Sequence, residues 1–188
     1  MVHDAARAGA WGIKVQLLDP LTIATADAPK YWDDRLETST QREAFTAAGL
    51  IDYDEWGPVR EAAREDKIAF VATPFDLAAV AACEELKVDA YKVASGDMLW
   101  TPLLDAILET GRPLFISTGA AWADEIVETL EHCCHKDRKV RERLVVLACS
   151  LVYPTPTTEA NIGRIVRLRE LLVEYGWRNI KVGYSDHT

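Results

Sequence analysis

No stretch of this sequence stays apolar for anything near the roughly 18 residues that a membrane-spanning helix needs. The opening "MVHDAARAGAWG" has neither the basic start nor the apolar middle of a secretion signal. A cytoplasmic protein with no membrane partner is therefore expected. Cysteine is scarce: Cys83, Cys133, Cys134 and Cys149 are the only four, and without export features they read as free thiols rather than a disulfide framework. Positive charge is in deficit. Lysine and arginine number 21 against 30 aspartates and glutamates, a net charge of −9, and a duplex-binding surface needs the opposite balance, so nucleic acid is not an expected partner. What remains is 188 residues, 49% of them hydrophobic, enough for one domain with a substantial core.

The cysteines gather once, in "HCCH" at residues 132–135. Four potential metal ligands stand side by side there, but consecutive helical residues point about 100° apart, so His132 shares a face only with a residue three or four positions on. The stretch reads as a helix end.

From Lys67 onward two patterns alternate. Short β-rich runs ("AFVATPF", "AYKVASG", "PLFISTG", "LVVLACS", "IKVGYS") each end in a polar residue or glycine, and longer stretches between them carry apolar residues at helical spacing. The helical stretches are "DLAAVAACEELK", "TPLLDAILETG", "ADEIVETLEHCCH" and "EANIGRIVRLRELLVEYG". Pro102 suits a first helical turn, Gly111 and Gly176 suit helix ends, and Thr158 before Glu159 suits a cap. One more unit precedes these, a helix in "VHDAARAGA" and a strand in "GIKVQ". The segment from Leu17 to Trp56 is less regular and is expected to be a long loop with a helix or two, on the side of the strand ends, that folds onto the domain or covers a site.

Strands alternating with helices indicate an α/β fold with parallel strands. An open doubly wound sheet and a (β/α)8 barrel compete. The even spacing favours the barrel: Thr73 to Ser95 and Ser95 to Ser117 are both 22 residues. Six strands are counted, two short of closure.

In such folds the site lies at the carboxyl ends of the strands. Those ends read Lys14 and Gln16; Thr73; Lys92 and Ser95; Ser117, Thr118 and Gly119; Ser150; Ser185 and His187. Each hydroxyl alone is equally a turn or cap residue. The lysines are different, because Lys14 and Lys92 lie inside otherwise apolar strands, where an unpaired cation is costly and calls for an anionic partner. Two ammonium groups, several hydroxyls and a glycine turn together make a receptor for a small anion with phosphate or carboxylate oxygens. His187 reads either as a solvated structural residue or as a ligand, and a metal needs more donors than it alone supplies.

"GIKVQ", "TPFD", "YKVASGD", "STG", "YPTP" and "VGYSDHT", in this order, resemble the N-acetylneuraminate (sialic acid) synthase family with its legionaminate and pseudaminate relatives, over about Ala5 to Thr188. The resemblance implies a (β/α)8 barrel followed by a small antifreeze-like domain, homodimeric in intact relatives. It implies an enzyme that condenses phosphoenolpyruvate with an N-acylated hexosamine such as N-acetylmannosamine, using divalent manganese or magnesium, to give a nine-carbon 2-keto acid and phosphate. Carried over by position, it implies that Lys14, Thr73, Lys92, Ser95, Ser117, Gly119 and Ser185 bind phosphoenolpyruvate, with Lys14 and Lys92 as the catalytic lysines. Tyr153 and Gln16 would face the amino-sugar, and His187 would be a metal ligand.

Two positions depart from the family's pattern, Leu151 where a small polar residue is expected and Ala148 where many relatives carry a polar one. The family's first strand, last strand, second metal histidine and antifreeze-like domain have no counterpart in these 188 residues. By this resemblance the chain is expected to be the partial barrel domain, 1–188, of a longer synthase, with impaired turnover as a fragment. The fold so implied is α/β, a partial (β/α)8 TIM barrel of roughly strands two to seven, with an open sheet as the alternative for the isolated chain. Three alternatives stay open: a Schiff-base aldolase with Lys92 as nucleophile, a 3-deoxy-keto acid synthase on the same barrel, and a non-catalytic truncated subunit.

Overall fold

Each of the six short apolar runs forms a strand. The chain, described by a computed structural model over residues 1–30, 38–47 and 52–188, divides into two units, Met1–Asp89 and Ala90–Thr188.

In the first unit α1 (Val2–Arg7) leads into β1 (Gly12–Leu17), and β2 (Ala69–Pro74) pairs with it in parallel, Gly12 opposite Ala69 and Leu17 opposite Pro74. A Cβ at position 12 would lie 2.8 Å from the Ala69 carbonyl oxygen, so the pairing needs a glycine there. Between the strands lie α2 (Pro20–Ile23), α3 (Gln41–Ala47), a 3-10 turn over Tyr53–Trp56 and α4 (Gly57–Glu65). The irregular segment thus holds two short helices as expected, while its residues 31–37 and 48–51 lie outside the described residues. Helix α4 has no counterpart in the sequence reading; it carries Pro58 in its first turn and buries Ala63 completely.

Helix α5 (Leu77–Glu85) begins at Asp76, whose carboxylate accepts from the Ala79 N–H at 2.6 Å, a side-chain cap. The same carboxylate accepts from the hydroxyls of Tyr53 at 2.9 Å and Thr22 at 3.2 Å. Asp76 therefore ties the irregular segment to the end of β2, and the Tyr53 phenol is held protonated by burial and by that carboxylate.

The second unit runs β3 (Ala90–Val93), α6 (Thr101–Glu109), β4 (Leu114–Ser117), α7 (Ala123–Lys136), β5 (Leu144–Cys149), α8 (Arg164–Glu174) and β6 (Lys181–Ser185). Its four strands pair in parallel in chain order, with Lys92, Phe115, Val145 and Lys181 in one register row. Because successive side chains alternate across a strand, the register sorts residues onto two faces. One carries Tyr91, Val93, Leu114, Ile116, Leu144, Val146 and Ala148, all buried, as are the helical stripes Leu103, Leu104, Ile107 and Leu108 of α6 and Ile126, Val127 and Leu130 of α7. Each large apolar side chain so buried contributes about 1.5–3 kcal/mol. The other face carries Lys92, Ser117, Leu147, Cys149, Gly183 and Ser185.

The punctuation holds at three places and fails at one. Pro102 opens α6, and Gly111 and Gly176 follow α6 and α8 at φ 70° and 73°. Thr158, by contrast, caps nothing: Thr157–Glu159 is a 3-10 turn, Asn161 takes φ 48°, and α8 starts only at Arg164. The left-handed asparagine breaks what the apolar spacing read as continuous helix. The "HCCH" stretch is the last part of α7, and its side chains diverge. His132 Nε2 lies 2.8 Å from Asp105, Cys133 is buried with its thiol pushed up to about 12, and Cys134 Sγ accepts from Arg141 Nε at 3.2 Å. Among the described residues no helix is long and apolar enough to cross a membrane.

Candidate functional site

Lys92 is the third residue of β3, between the fully buried Tyr91 and Val93. Alternation puts those neighbours on the helix-covered face and the lysine on the other, where it is half-buried. Burial lowers the pKa of its ammonium, opposed in part by Cys149, and among the described residues no carboxylate pairs with it. A desolvated cation with no counter-ion is what an anion site looks like before its ligand binds.

Beyond the end of β3 the chain turns through Ser95–Asp97, a single 3-10 turn. Ser95 Oγ accepts the Gly119 N–H at 3.0 Å and lies 3.2 Å from Cys149 Sγ. The ends of β3, β4 and β5 thus converge on one hydroxyl. Gly119 is dictated by this convergence, since a Cβ there would stand 2.8 Å from Cys149 Sγ and 3.2 Å from Ser95 Oγ. Ser117, the last residue of β4, is 2% exposed, and its Oγ has no hydrogen-bond partner. An unmade bond on a buried hydroxyl costs about 1–3 kcal/mol, which a ligand acceptor would recover. Thr118 points away, its Oγ1 donating to the Leu147 carbonyl at 3.0 Å.

Ser185 ends β6, and His187 two residues on lies beside the loop that follows β5. His187 Nδ1 is 2.7 Å from the Ser150 carbonyl oxygen, which can only accept, so this nitrogen carries the proton. Nε2 then presents its lone pair to the hydroxyls of Tyr153 and Ser185, each at 3.3 Å, while the Tyr153 ring stacks on the imidazole at 4.1 Å. A carbonyl that fixes the histidine tautomer in this way is the usual support of a metal-ligating imidazole. The donor set stops there: the described residues hold no cluster of three His, Cys, Asp or Glu side chains that could complete a metal site.

The remaining sequence-predicted residues belong to the first unit. Thr73, at the end of β2, is 1% exposed, and its Oγ1 has no partner. Lys14 and Gln16 are exposed, alternating with buried Val15 and Leu17, and they line a hollow of about 680 Å³ with Trp56, Pro58 and Val59. The penalty argued for a cation inside an apolar strand therefore applies to Lys92 and not to Lys14, whose ammonium sits on the open face of β1.

Two residues escaped the sequence reading. Cys149 was counted only as a free thiol, although its period-two position in β5 places it with Lys92 and Ser117. Asp97 was visible in "YKVASGD", but only its environment marks it: burial raises its carboxyl to about 6, so it is partly protonated near neutral pH. The two departures sort differently. Ala148 is 1% exposed on the helix-covered face, where an apolar side chain belongs, whereas Leu151 is 45% exposed in the loop after β5.

The NeuB family profile matches residues 1–188. An uncharacterized protein of Methanocaldococcus jannaschii, MJ1065, is 32% identical over all of this chain and half of its own length. The N,N'-diacetyllegionaminic acid synthase of Campylobacter jejuni is 35% identical over 67% of this chain and 36% of its own. Among solved structures, an N-acetylneuraminic acid synthetase from Leptospira borgpetersenii, in complex with citrate, superposes with a TM-score of 0.79 at 26% identity, covering 100% of this chain and 58% of that one. The chain spans about half the length of the curated relatives it matches along its whole length, and its fold is the expected α/β class, a partial (β/α)8 barrel.

Proposed function

The chain belongs to the NeuB family, and we propose that it is the phosphoenolpyruvate-binding part of a synthase that joins this enol phosphate to an N-acylated hexosamine of the N-acetylmannosamine type. The product of that reaction is a nine-carbon 2-keto sugar acid. The observation that carries the reading is the half-buried Lys92 ammonium, which no carboxylate among the described residues pairs with, on the same strand face as the partnerless Ser117 hydroxyl. A ligand with several anionic oxygens supplies what both lack. The citrate held by the Leptospira synthetase, itself a small polyanion, is consistent with such a receptor.

In this reading Lys92 acts as a point charge on the phosphate or carboxylate, and Ser95, Ser117 and Ser185 donate hydroxyls to the remaining oxygens. Held at both anionic ends, the enol presents one face to the sugar aldehyde, and this orientation lowers the entropic cost of bringing the two together. C3 of the enol forms the new carbon–carbon bond, water adds at C2, and phosphate leaves. The alkoxide formed from the aldehyde takes up a proton, and the water that adds at C2 gives one up. Tyr153 faces the sugar.

A divalent metal would polarise that aldehyde as a Lewis acid. His187 Nε2, whose lone pair faces the Tyr153 and Ser185 hydroxyls in the free chain, would be a ligand to it; the described residues do not complete the ligand set, and no step above runs through it. For the same reason the 188-residue chain by itself should bind the anion yet turn over little; turnover matching a full-length synthase would contradict this.

Isothermal titration of the chain with phosphoenolpyruvate, beside a folded Lys92→Ala variant, tests the assignment. Saturable heat that disappears in the variant is expected, and its absence from a folded wild-type chain would defeat the reading. The lowered pKa of Lys92 also suits a Schiff-base nucleophile, condensing with a keto substrate to an imine and water. Borohydride reduction that leaves the substrate covalently on Lys92 would favour this aldolase reading instead.

A further inference from the structure

The synthase reading leaves one buried polar group of the site without a task, Cys149. Its side chain is 1% exposed, and its Sγ lies 3.2 Å from Ser95 Oγ. A serine oxygen has two lone pairs and one proton, and the Gly119 N–H already occupies one lone pair at 3.0 Å. The contact with Cys149 then has two forms. Either Ser95 donates its proton to the sulfur, a weak acceptor, or the thiol donates to the oxygen, filling the second lone pair and leaving the hydroxyl proton to point elsewhere.

An anion in the site selects between them. A hydrogen bond to a charged acceptor is roughly twice as strong as a neutral one, so Ser95 gains by turning its proton toward the ligand. The thiol is what keeps the oxygen fully bonded when it does so. We propose that Cys149 is a positioning residue, whose thiol donates to Ser95 Oγ and thereby aims the Ser95 hydroxyl proton at the bound anion.

Two further observations bear on this, neither involving the cysteine's own hydrogen bond. Ser117 Oγ, buried and without a partner, lies on the strand face that Lys92 and Cys149 share, and it marks that face as receiving an acceptor from outside the protein. Gly119 leaves no room for a Cβ against Cys149 Sγ, so the turn is shaped around the sulfur rather than merely tolerating it.

The inference rests on the phosphoenolpyruvate reading for the identity of the ligand, and its test keeps the two apart. Phosphoenolpyruvate is titrated into the full chain and into Cys149→Ala, Cys149→Ser, Ser95→Ala and the Ser95→Ala/Cys149→Ala double variant, each checked for folding by circular dichroism. Cys149→Val, close in size and without a donor, replaces the alanine variant should that one fail to fold. Cys149→Ala should weaken binding about 3- to 10-fold, the effect of one neutral hydrogen bond. Cys149→Ser, which keeps a donor, should stay within about 2-fold of wild type, and in the Ser95→Ala background loss of Cys149 should add less than about 2-fold. The same loss with and without Ser95, or none at all, would overturn the positioning role while leaving the ligand assignment intact. A folded wild-type chain that does not bind phosphoenolpyruvate would overturn both.

Discussion

Replacing Ser117 by alanine should move stability and binding in opposite directions. The Ser117 hydroxyl is 2% exposed and makes no hydrogen bond in the free chain, so folding strips it of water and returns nothing, at about 1–3 kcal/mol. Alanine removes that penalty and leaves a void of only one oxygen atom. We expect a net gain of about 1 kcal/mol, which for a chain of this size raises the thermal midpoint by about 2–4 °C. The complex should lose what the free chain gains and more. A hydrogen bond to a charged oxygen contributes about 1.5–3 kcal/mol, so phosphoenolpyruvate should bind about 10- to 100-fold more weakly. Thermal unfolding followed by circular dichroism, with and without millimolar phosphoenolpyruvate, reads both effects, because ligand that binds only the folded state raises the midpoint by mass action. A variant that is less stable when free and unchanged in its ligand-induced shift would show that the hydroxyl has a protein partner in solution and faces no ligand.

Gly119→Ala puts a Cβ 2.8 Å from Cys149 Sγ and 3.2 Å from Ser95 Oγ, so it should destabilise the chain by about 1–3 kcal/mol and abolish anion binding; unchanged denaturant midpoint and affinity would contradict the packing described. Lys92 has a folded-state pKa below its ordinary 10.5, so its burial penalty is complete below the folded value and lifts as pH rises toward the unfolded one. Lys92→Met should therefore be more stable than wild type at pH 7, with the difference shrinking as the pH approaches 10.5. A less stable variant at neutral pH would reveal an unseen counter-ion. Asp97 is shifted the other way, from 3.8 up to about 6, so its contribution is present below the lower value and lost as pH rises through the upper. Relative to Asp97→Asn, wild-type stability should fall between those two values and level off above them, and a difference that stays flat across that range in denaturant titrations would refute the burial argument.

Local signals carried much of this molecule. The six strands and the helices α5 to α7 were legible because period-two and period-3.6 patterns report which side of an element is apolar, and because Pro102, Gly111 and Gly176 act through their own backbone geometry. The start of α8 was misplaced for the complementary reason: apolar spacing continues through "EANIG", but Asn161 adopts φ 48°, and a single left-handed residue ends a helix whatever the pattern says. Helix α4 was passed over between an irregular segment and a strand, although Val59, Ala62 and Ala63 recur along it at helical spacing.

At the site, sequence alone determined which residue types stand at the strand ends, since strand, turn and helix follow one another at fixed spacing and each strand end is a local event. It therefore sufficed to nominate Lys92, Ser95, Ser117, Gly119, Ser185 and His187 and to read an anion receptor from them. Tertiary structure decided what each of them meets. Lys14 and Lys92 look alike in sequence, yet one is exposed and the other desolvated, because burial depends on what packs over a strand from elsewhere in the chain. Ser95 and Cys149 are 54 residues apart, and their 3.2 Å contact exists only because parallel register carries the ends of β3, β4 and β5 to one point. Hydrogen bonding acts over about 3 Å of space rather than along the chain, so the partners of Ser95, the tautomer of His187 and the empty bonding capacity of Ser117 and Thr73 were settled by packing alone.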